Sequence, residues 1–553
     1  MQKEKLTDTA GLFRWLWRTW KGYRLQTFLN AAVGILSVLA DLSFVYITKL
    51  CVDIATGVST HTTLHGAFLL LGLVILLQLG LGIASRWIRA LLGVKAQNHL
   101  RRTLFATLLR SDWKGLKRFH TGNLLNRIER DVTDVISFLT ESLPTFLSTC
   151  LQFLGAFLFL FLMDSTLACI IVVILPFFVL ASKLYVRRMR RLTHEVRDTE
   201  SKVQSHIQES LQHSLVIKTL QRTTTATGRL HDIQRRLHRQ VIRKTGYSTL
   251  SSGLLNFGFA AGYLVTFVWG TTSLQQGHIT YGALIAFVQL VGQIQGPVRT
   301  LTKFIPIFIG VFTASERLME LEAIPAEAAE HGPTLPAPVG IRLQHVSYAY
   351  APGARQLFAD FSFSFPPGSV TAILGETGAG KTTLIRLLLR LLQPTAGTIG
   401  LYTPADPATL HPCTRSHFAY VPQGNTLLSG TIRDNLLLGN PQATEQQMWQ
   451  ALECASADFV RTLPDGLDAP CGEMGDGLSE GQAQRIAIAR TLLRPAAIYL
   501  FDEATSALDS ATERRVVANI VRHKQGHTLL FITHRPEVIK YCTQQLVLTK
   551  GKC

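Results

Sequence analysis

The chain has 553 residues, 47% of them hydrophobic, and its 55 lysines and arginines outnumber 37 aspartates and glutamates. This length would suggest about three or four soluble domains, but the apolar residues before about residue 315 form blocks long enough to cross a bilayer. From residue 341 onward, 19 basic residues nearly balance 17 acidic ones, so the positive excess belongs to the hydrophobic half. There it indicates membrane topology and argues against a nucleic-acid partner.

The hydrophobic half begins with an amphipathic segment at 12–20 (LFRWLWRTW) that is too short to span a membrane. Its alternating aromatic residues and arginines favour a helix lying in the membrane interface, and an ordinary buried helix is the alternative. Hydropathy and length then predict six membrane-spanning helices. They are expected at 25–50, 64–92, 135–162, 166–186, 250–273 and 281–312.

The connections between these spans alternate in character. Those after the first, third and fifth spans are short and nearly uncharged, whereas those after the second and fourth are long and basic. Because positive residues stay inside, both long connections and both termini are expected in the cytosol. Apolar residues at helical spacing, as in 203–220, predict that helices continue below the membrane and meet at turns near 114–123 and 212–217.

A few polar residues lie within the predicted spans. The carboxylate of Asp41 either faces a cavity, where it would bind polar or cationic cargo, or lies near the outer interface in water. The amide side chains either line a cavity or join helices to each other. These amides are Gln152, Asn256, Gln289, Gln293 and Gln295, and Pro144, Pro176 and Pro297 are expected to kink their helices.

A linker rich in proline and alanine at 325–338 precedes a soluble part with short apolar runs. Its strand at 370–374 ends in a complete phosphate-binding loop. The loop consists of Gly375, Glu376, Thr377, Gly378, Ala379, Gly380, Lys381 and Thr382. Its backbone N–H groups would wrap the phosphates of a nucleotide, with Lys381 on the β- and γ-phosphates and the Thr382 hydroxyl on Mg²⁺.

A second acidic element follows an apolar strand at 497–501 and consists of Asp502 and Glu503. At the end of a buried strand, Asp502 is placed to bind Mg²⁺ and Glu503 to accept a proton from an attacking water. An acidic pair at a strand end is an ordinary surface feature on its own. Its place downstream of a phosphate-binding loop favours the catalytic interpretation.

Between these elements stands Leu-Ser-Glu-Gly-Gln at 478–482, which resembles the signature motif of ABC-family ATPases. Further matches follow the order of that family. Tyr350 resembles the aromatic residue that stacks on adenine, Gln423 the Q-loop glutamine and His534 the switch histidine. The segment 472–475 resembles the one that exporters place against the membrane domain, and 506–509, which ends in Asp509, matches the D-loop. One departure is Glu480, where the family usually has glycine; the two positions expected to contact the γ-phosphate, Ser479 and Gly481, are retained.

The resemblance extends over nearly the whole chain and implies a multidomain membrane protein of the exporter branch. An all-α six-helix transmembrane domain at 1–320 would be followed by a linker at 321–340 and an α/β P-loop ABC nucleotide-binding domain at 341–553. The implied function is an ATPase that couples ATP binding and hydrolysis to alternating access and to substrate export or flipping. An importer with the exporter fold and an ATP-regulated protein that transports nothing are the alternatives.

The family arrangement also implies a partner. One chain carries one P-loop and one signature, so a second half-transporter is needed, with Ser479 and Gly481 of one chain completing the ATP site of the other. Because Glu503, His534 and the P-loop match the family consensus, a homodimer is favoured over a heterodimer. In that site Glu503, His534 and Gln423 would be catalytic, Tyr350, the P-loop and Asp509 would contact ATP, and Thr382, Gln423 and Asp502 would hold Mg²⁺.

The expected setting is a multi-pass protein of the plasma (inner) membrane with its ATPase domain in the cytosol. Membrane lipids are the expected surroundings. By analogy with the family, one of the two cytosolic turns would contact its own ATPase domain and the other the ATPase domain of the partner. The sequence does not distinguish lipid, peptide, drug or siderophore as the cargo.

Overall fold

The computed structural model describes residues 9–58, 63–171, 173, 186–327, 335–351, 353–412, 414–472 and 477–549. The chain divides into two compact units. The first contains residues 1–108 and 121–323, and the second contains residues 109–120 and 324–553. A short stretch that follows the second predicted span therefore belongs to the second unit.

Helices make up most of the described chain up to residue 323. They are α1 (Thr9–Thr19), α2 (Arg24–Ala55), α3 (Leu64–Leu109), α4 (Trp113–Leu116), α5 (Thr121–Met163), α6 (Val186–Gln212), α7 (Ser214–Thr219), α8 (Thr223–Gln275) and α9 (Tyr281–Glu322). Two π-helical turns, Arg127–Asp131 and Phe138–Ser142, interrupt α5. The short α4 belongs to the second unit.

Within the described residues, five helices are long and apolar enough to cross a membrane, namely α2, α3, α5, α8 and α9. The predicted fourth span at 166–186 lies largely outside the described residues. Helix α8 has 53 residues, a length of about 80 Å at 1.5 Å per residue. It is therefore much longer than a bilayer core of about 30 Å, as predicted for helices that continue below the membrane.

The core of the first unit lies where α2, α5 and α9 meet. Val45 of α2, Ala156 of α5, and Phe287 and Leu290 of α9 are all fully buried in one apolar cluster. The small side chain of Ala156 lets helices approach closely, which is how helices pack in a membrane without a hydrophobic driving force.

The amphipathic helix α1 packs with one face and exposes the other. Leu12, Trp15 and Leu16 are buried, whereas Trp17 is exposed. The indole Nε1 of Trp15 donates to Glu322 Oε2 at 3.0 Å, at the C-terminal end of α9. The helix is thus fixed to the last residues of the membrane unit.

Within its described residues, the second unit contains three sheets. The first has the antiparallel order β2-β1-β4-β5, the second the parallel order β11-β3-β10-β9-β6, and the third pairs β7 with β8. Their strands are β1 (Gly340–Tyr348), β2 (Phe358–Phe365), β3 (Val370–Gly375), β4 (Ala396–Thr403), β5 (Asp406–Pro412), β6 (Phe418–Val421), β7 (Gly430–Thr431), β8 (Pro470–Cys471), β9 (Ile498–Asp502), β10 (Thr528–Ile532) and β11 (Gln544–Leu548).

Helices cover the parallel sheet, as expected for parallel strands, which are buried on both faces. Those described are α10 (Lys381–Leu388), α11 (Ile432–Leu437), α12 (Glu445–Cys454), α13 (Glu480–Leu493), α14 (Ser510–His523) and α15 (Pro536–Ile539). All five residues of β9 and all five of β10 are buried. This explains why both strands appear in the sequence as continuous apolar runs.

The short helix α4 packs against other residues of the second unit. The backbone N–H of Asp112 donates to the carbonyl of Pro325 at 2.8 Å, and the guanidinium of Arg386 lies 4.8 Å from the centre of the Trp113 ring. This stretch is one of the two cytosolic turns predicted from the sequence, and it contacts the second unit of its own chain. The other turn carries α7.

Candidate active site

The candidate site lies at the carboxyl ends of adjacent parallel strands. Strand order places β10 between β3 and β9, with β6 on the far side of β9. The chain leaves β3 into the P-loop, β9 at Asp502, β10 before His534 and β6 before Gln423. Because parallel strands end at the same edge, elements more than 150 residues apart in sequence lie beside each other.

Three P-loop glycines have a left-handed backbone that side chains rarely adopt. The φ angles are +149° at Gly375, +85° at Gly378 and +102° at Gly380. A Cβ atom at Gly375 would also lie 2.5 Å from the carbonyl oxygen of Leu548. Backbone N–H groups can therefore line this loop without obstruction from side chains.

The rest of the loop combines an exposed rim with a buried base. Glu376 and Thr377 are exposed, whereas Ala379 is buried, and the Ala379 N–H donates to the Glu376 carbonyl at 3.1 Å. Lys381 and Thr382 form the first turn of α10. The positive end of this eight-residue helix thus lies directly behind the loop, where it favours anions.

The ammonium group of Lys381 connects the loop to the next strand. Its Nζ contacts the carbonyl of Gly375 and lies 2.6 Å from Nε2 of His534. An ammonium group can only donate, so Nε2 of His534 is the acceptor and the proton of a neutral ring is on Nδ1. The structure thus brings together two candidate residues that are 153 positions apart.

The candidate base and the Q-loop glutamine also meet. Nε2 of Gln423 donates to Oε2 of Glu503 at 2.7 Å, and the Glu503 N–H donates to the Ile532 carbonyl at 3.0 Å. Glu503 has a φ of +48°, which is uncommon for a non-glycine residue. Since its amide nitrogen is used by Glu503, Gln423 has its carbonyl oxygen available as a metal ligand.

Asp502 is the buried acid of the site, with a relative exposure of 3%. Burial raises its pKa, and a hydrogen bond from Tyr420 opposes that shift. The Tyr420 hydroxyl donates to Asp502 Oδ2 at 3.2 Å, and burial together with the Asp502 charge raises the pKa of Tyr420, so it stays a neutral donor. Tyr420 was not predicted from the sequence, because only the pairing of β6 with β9 places it there.

The arrangement fits a magnesium ion. Thr382, Gln423 and Asp502 supply hydroxyl, amide and carboxylate oxygens, which are the hard ligands that Mg²⁺ takes in nucleotide sites. The glycine loop beside them can accept the phosphates that share this ion. The side chains present at the sheet edge are therefore suited to Mg²⁺ and a nucleotide.

Tyr350 lies at the rim of the site and is 46% exposed. Its hydroxyl shares a 2.9 Å hydrogen bond with Thr383 Oγ1 on α10 and lies 3.4 Å from Nη1 of Arg386. These contacts fix the edge of the ring to the helix that follows the P-loop. Arg386 also contacts Trp113, so one guanidinium links Tyr350 to α4.

The signature residues begin helix α13. The Ser479 hydroxyl accepts from the Gln482 N–H at 3.2 Å, and the Gln482 side chain accepts from the Ser479 N–H at 2.8 Å. These two hydrogen bonds form a capping box. The start of the helix is exposed, and Glu480 also lies at the surface. A Cβ atom at Gly481 would lie 3.0 Å from the Ala507 carbonyl, so the signature packs closely on the D-loop.

Asp509 caps the next helix of the site. Its Oδ1 accepts from the N–H groups of Ala511 and Thr512, both at 3.0 Å, and the Thr512 hydrogen bonds lower its pKa to about 2. Gln484 joins this loop to the signature helix, since its amide bonds Ser506 and Ala507. The nucleotide contact expected of Asp509 stays a prediction, and the segment 472–475 lies largely outside the described residues.

Comparison with known proteins now decides the family. A family model described as the ABC transporter transmembrane region matches residues 27–298, and one described as ABC transporter matches residues 358–506. The chain is 31% identical over 460 residues to the ATP-dependent lipid A-core flippase of Bordetella avium, a match that covers 82% of this chain and 77% of that protein. The chain belongs to the ABC transporter family.

Two further comparisons agree with this assignment. The ATP-binding cassette sub-family B member 10, mitochondrial, of Mus musculus is 31% identical over 500 residues, which cover 85% of this chain and 68% of that protein. A solved bacterial Atm1-family ABC exporter with ATP bound superposes with a TM-score of 0.76 at 24% identity, covering 96% and 95% of the two chains. The exporter fold, the ATPase domain and the fusion of both in one half-transporter agree with the prediction from the sequence.

Proposed function

We propose that two copies of this transporter form an exporter that hydrolyses Mg²⁺-ATP on the cytosolic side of the plasma membrane. The observation that carries the proposal is the edge of the parallel sheet, where Lys381 meets His534 and Gln423 meets Glu503 beside the buried Asp502. These pairs bring a phosphate-binding cation, a base and a metal ligand to one place. Such an arrangement suits phosphoryl transfer to water.

Each of these residues has a distinct role in the proposal. The P-loop N–H groups and Lys381 bind the phosphates, the Tyr350 ring stacks on adenine, and His534 orients the γ-phosphate. Glu503 accepts a proton from the attacking water while Gln423 holds its carboxylate in place. Thr382, Gln423 and Asp502 would hold Mg²⁺, which supplies positive charge to the phosphate oxygens when bound.

The second copy completes the site. The Ser479 hydroxyl is used within its own helix cap, and the exposed start of α13 is suited to receive an anion from another chain. In the proposed dimer, Ser479 and Gly481 of each chain contact the γ-phosphate bound by the partner subunit, and Asp509 lies at the same junction. ATP then joins the two ATPase domains, and hydrolysis separates them.

The second cytosolic turn supports the same arrangement. At the tip formed by α7, Leu211, Leu215, Val216 and Leu220 are 70%, 75%, 51% and 64% exposed. Four exposed apolar side chains on and beside α7 indicate a surface that a partner covers. We assign this tip to the ATPase domain of the second copy, whereas α4 contacts its own.

The experiment is the ATPase activity of the purified chain alone in liposomes, with Glu503→Gln as the test variant. We expect turnover from the intact chain and a loss of about 100-fold or more in the variant, with ATP binding retained. Glu537→Gln is the matched control, because the ion pair that Glu537 forms among the described residues is with the exposed Lys540. A folded chain that binds ATP without turnover would contradict the homodimeric exporter, and full turnover in Glu503→Gln would remove Glu503 as the base.

A further inference from the structure

The membrane unit contains a polar cavity between α2, α5 and α9. Its volume is about 520 Å³, which suits a small molecule or the head of a larger one. The aromatic and polar residues that line it are Phe44 of α2, Thr149 and Gln152 of α5, and Gln289, Gln293 and Thr300 of α9. The other described residues that line it are glycine and proline, so none of the described lining side chains is charged.

Helix α9 arranges its polar residues on one face. Gln289 and Gln293 are one turn apart, and Thr300 is two turns beyond Gln293, so all three follow the same side of the helix. Gly296 lies between them, and a Cβ atom built there would meet nothing within 4 Å. The absence of a side chain at Gly296 keeps this part of the wall open.

The oxygen of Gln293 is fixed as an acceptor. Its Nε2 donates to the backbone carbonyl of Asp41 at 3.2 Å, and a carbonyl can only accept, which determines the orientation of the amide. Oε1 of Gln293 is buried and has no hydrogen-bond partner among the described residues. Oε1 of Gln289 is likewise buried and has no hydrogen-bond partner among the described residues.

The two oxygens belong to neighbouring turns of α9. Gln289 and Gln293 are four residues apart, and both line the cavity. Their residues therefore bring two buried side-chain acceptors to one wall, about one helical turn apart. Buried acceptors of this kind are costly to leave unpaired, and a ligand with hydrogen-bond donors would satisfy them.

Two charged residues adjacent in sequence or by hydrogen bond to the described lining residues, Asp41 and Arg299, have bonds to other groups. Oδ1 of Asp41 accepts from Nε2 of Gln78 at 2.9 Å, and Arg299 donates to Asn256 Oδ1 at 2.7 Å while its guanidinium stacks on the Phe259 ring. A cation or an anion in the cavity would lose its hydration without gaining a counter-ion from the lining side chains. A neutral donor avoids this loss.

We propose that this cavity binds the transported substrate and selects neutral molecules whose polar head donates hydrogen bonds, either an amide or a hydroxyl, next to an apolar part. The inference rests on the proposed transport function and adds the substrate class to it. Gln289 and Gln293 accept the hydrogen bonds of the head, and Phe44 contacts the apolar part.

The test compares four straight-chain molecules of ten carbons each: decanamide, decanol, decanoate and decylamine. Their binding to the full-length protein in nanodiscs is measured with radiolabelled compound, empty nanodiscs are subtracted, and ATPase stimulation is measured in parallel. We expect decanamide and decanol to bind and to stimulate more strongly than either ion. Preference for decanoate or decylamine, or equal binding of all four, would overturn the inference.

Variants of the two glutamines sharpen the test. Gln289→Leu and Gln293→Leu should each weaken decanamide binding by about 5- to 10-fold, whereas Gln293→Glu should shift the preference towards decylamine. Gln276→Leu is the matched control, because Gln276 follows the C-terminal end of α8 and lies outside the cavity. Unchanged decanamide affinity in both leucine variants would overturn the assignment of the acceptors.

The two proposals fail in different ways. If decanamide binds through the glutamines but the chain never hydrolyses ATP, the binding site stands and the transport function is wrong. If the chain hydrolyses ATP and Glu503→Gln abolishes turnover, but neutral donors neither bind nor stimulate, the transport function stands and the substrate class is wrong.

Discussion

The nucleotide site and the membrane cavity are built from similar polar side chains, but they differ in how those side chains are paired. At the sheet edge, Gln423 bonds Glu503 and Lys381 bonds His534 within the chain. In the cavity, the oxygens of Gln289 and Gln293 have no hydrogen-bond partner among the described residues. Side chains of the nucleotide site thus bond each other, whereas in the cavity the Gln293 amide is held by the backbone carbonyl of Asp41 and its oxygen is unpaired among the described residues.

This difference follows from what each site binds. A nucleotide site always receives the same phosphates and metal, so internal hydrogen bonds can hold its side chains in place before the ligand arrives. A transport site must release its ligand after each cycle. Acceptors that form hydrogen bonds only with the ligand make the site selective for that ligand. They need no permanent hydrogen-bond network within the protein.

The largest expected effect comes from neutralising the buried acid of the paired site. In the proposed site, Asp502→Asn would remove the charged ligand of Mg²⁺. We expect turnover to fall by about 100- to 1,000-fold, which corresponds to about 3–4 kcal/mol. The measurement is ATPase activity as a function of Mg²⁺ concentration. Asp468→Asn is the control, because Asp468 is an exposed partner of Arg433, and equal activities of the two variants would contradict the role of Asp502.

Tyr420→Phe removes one hydrogen bond from the same network and keeps the ring. The hydroxyl holds Oδ2 of Asp502, so its loss should raise the Mg²⁺ concentration needed for half-maximal activity by about tenfold. Mn²⁺ binding followed by electron paramagnetic resonance should weaken in parallel. Tyr499→Phe removes a buried hydroxyl that bonds the Arg494 carbonyl, and the same shift in that variant would show a general packing effect.

A smaller effect is expected at the contact between α4 and the rest of the ATPase unit. The Arg386 guanidinium contacts both the Trp113 ring and the Tyr350 hydroxyl. Trp113→Leu should therefore lower the stimulation of ATPase activity by a transported substrate about 2- to 5-fold, because an exposed cation–π contact contributes about 0.5–1 kcal/mol. Trp449→Leu removes a similar contact with Arg461 away from α4 and should leave stimulation unchanged; an equal loss there would contradict the link.

The last effect is on the stability of the membrane unit. Nε2 of Gln295 donates to the Phe259 carbonyl at 3.0 Å, much as Nε2 of Gln293 bonds the Asp41 carbonyl, but Gln295 is not among the described residues that line the cavity. Gln295→Leu should lower the free energy of unfolding by about 1 kcal/mol and leave the preference for decanamide unchanged. Thermal unfolding and ligand binding measured on one sample check both results, and a changed preference would place Gln295 in the substrate site.

The ATPase unit was largely predictable because its chemistry lies in short contiguous motifs. The strand before Gly375 and the strand before Asp502 were evident from apolar runs and glycines, and both are present. What the sequence did not reveal depends on strand order. The contact between Tyr420 and Asp502 exists only because β6 pairs with β9, and residues 82 positions apart carry no local signal of that pairing.

The membrane unit was predictable in its helices but not in its cavity. Hydropathy identifies the spans, because a bilayer requires about 20 apolar residues in each. The role of a glutamine within a span depends on which helices meet. Gln293 and Gln295 were equivalent in the sequence, yet one lines the cavity and the other is tied to α8 through Phe259.

The most direct test of the proposed dimer mixes two inactive chains. Glu503→Gln removes the base, and Ser479→Asp keeps a helix-capping side chain while it places negative charge where the partner's γ-phosphate would bind. Each variant alone should be inactive. A dimer of one chain of each kind has one intact site, built from the P-loop of the Ser479→Asp chain and the signature of the Glu503→Gln chain. Co-expression should therefore restore part of the ATPase activity, and no recovery in proven mixed dimers would contradict an ATP site shared between two chains.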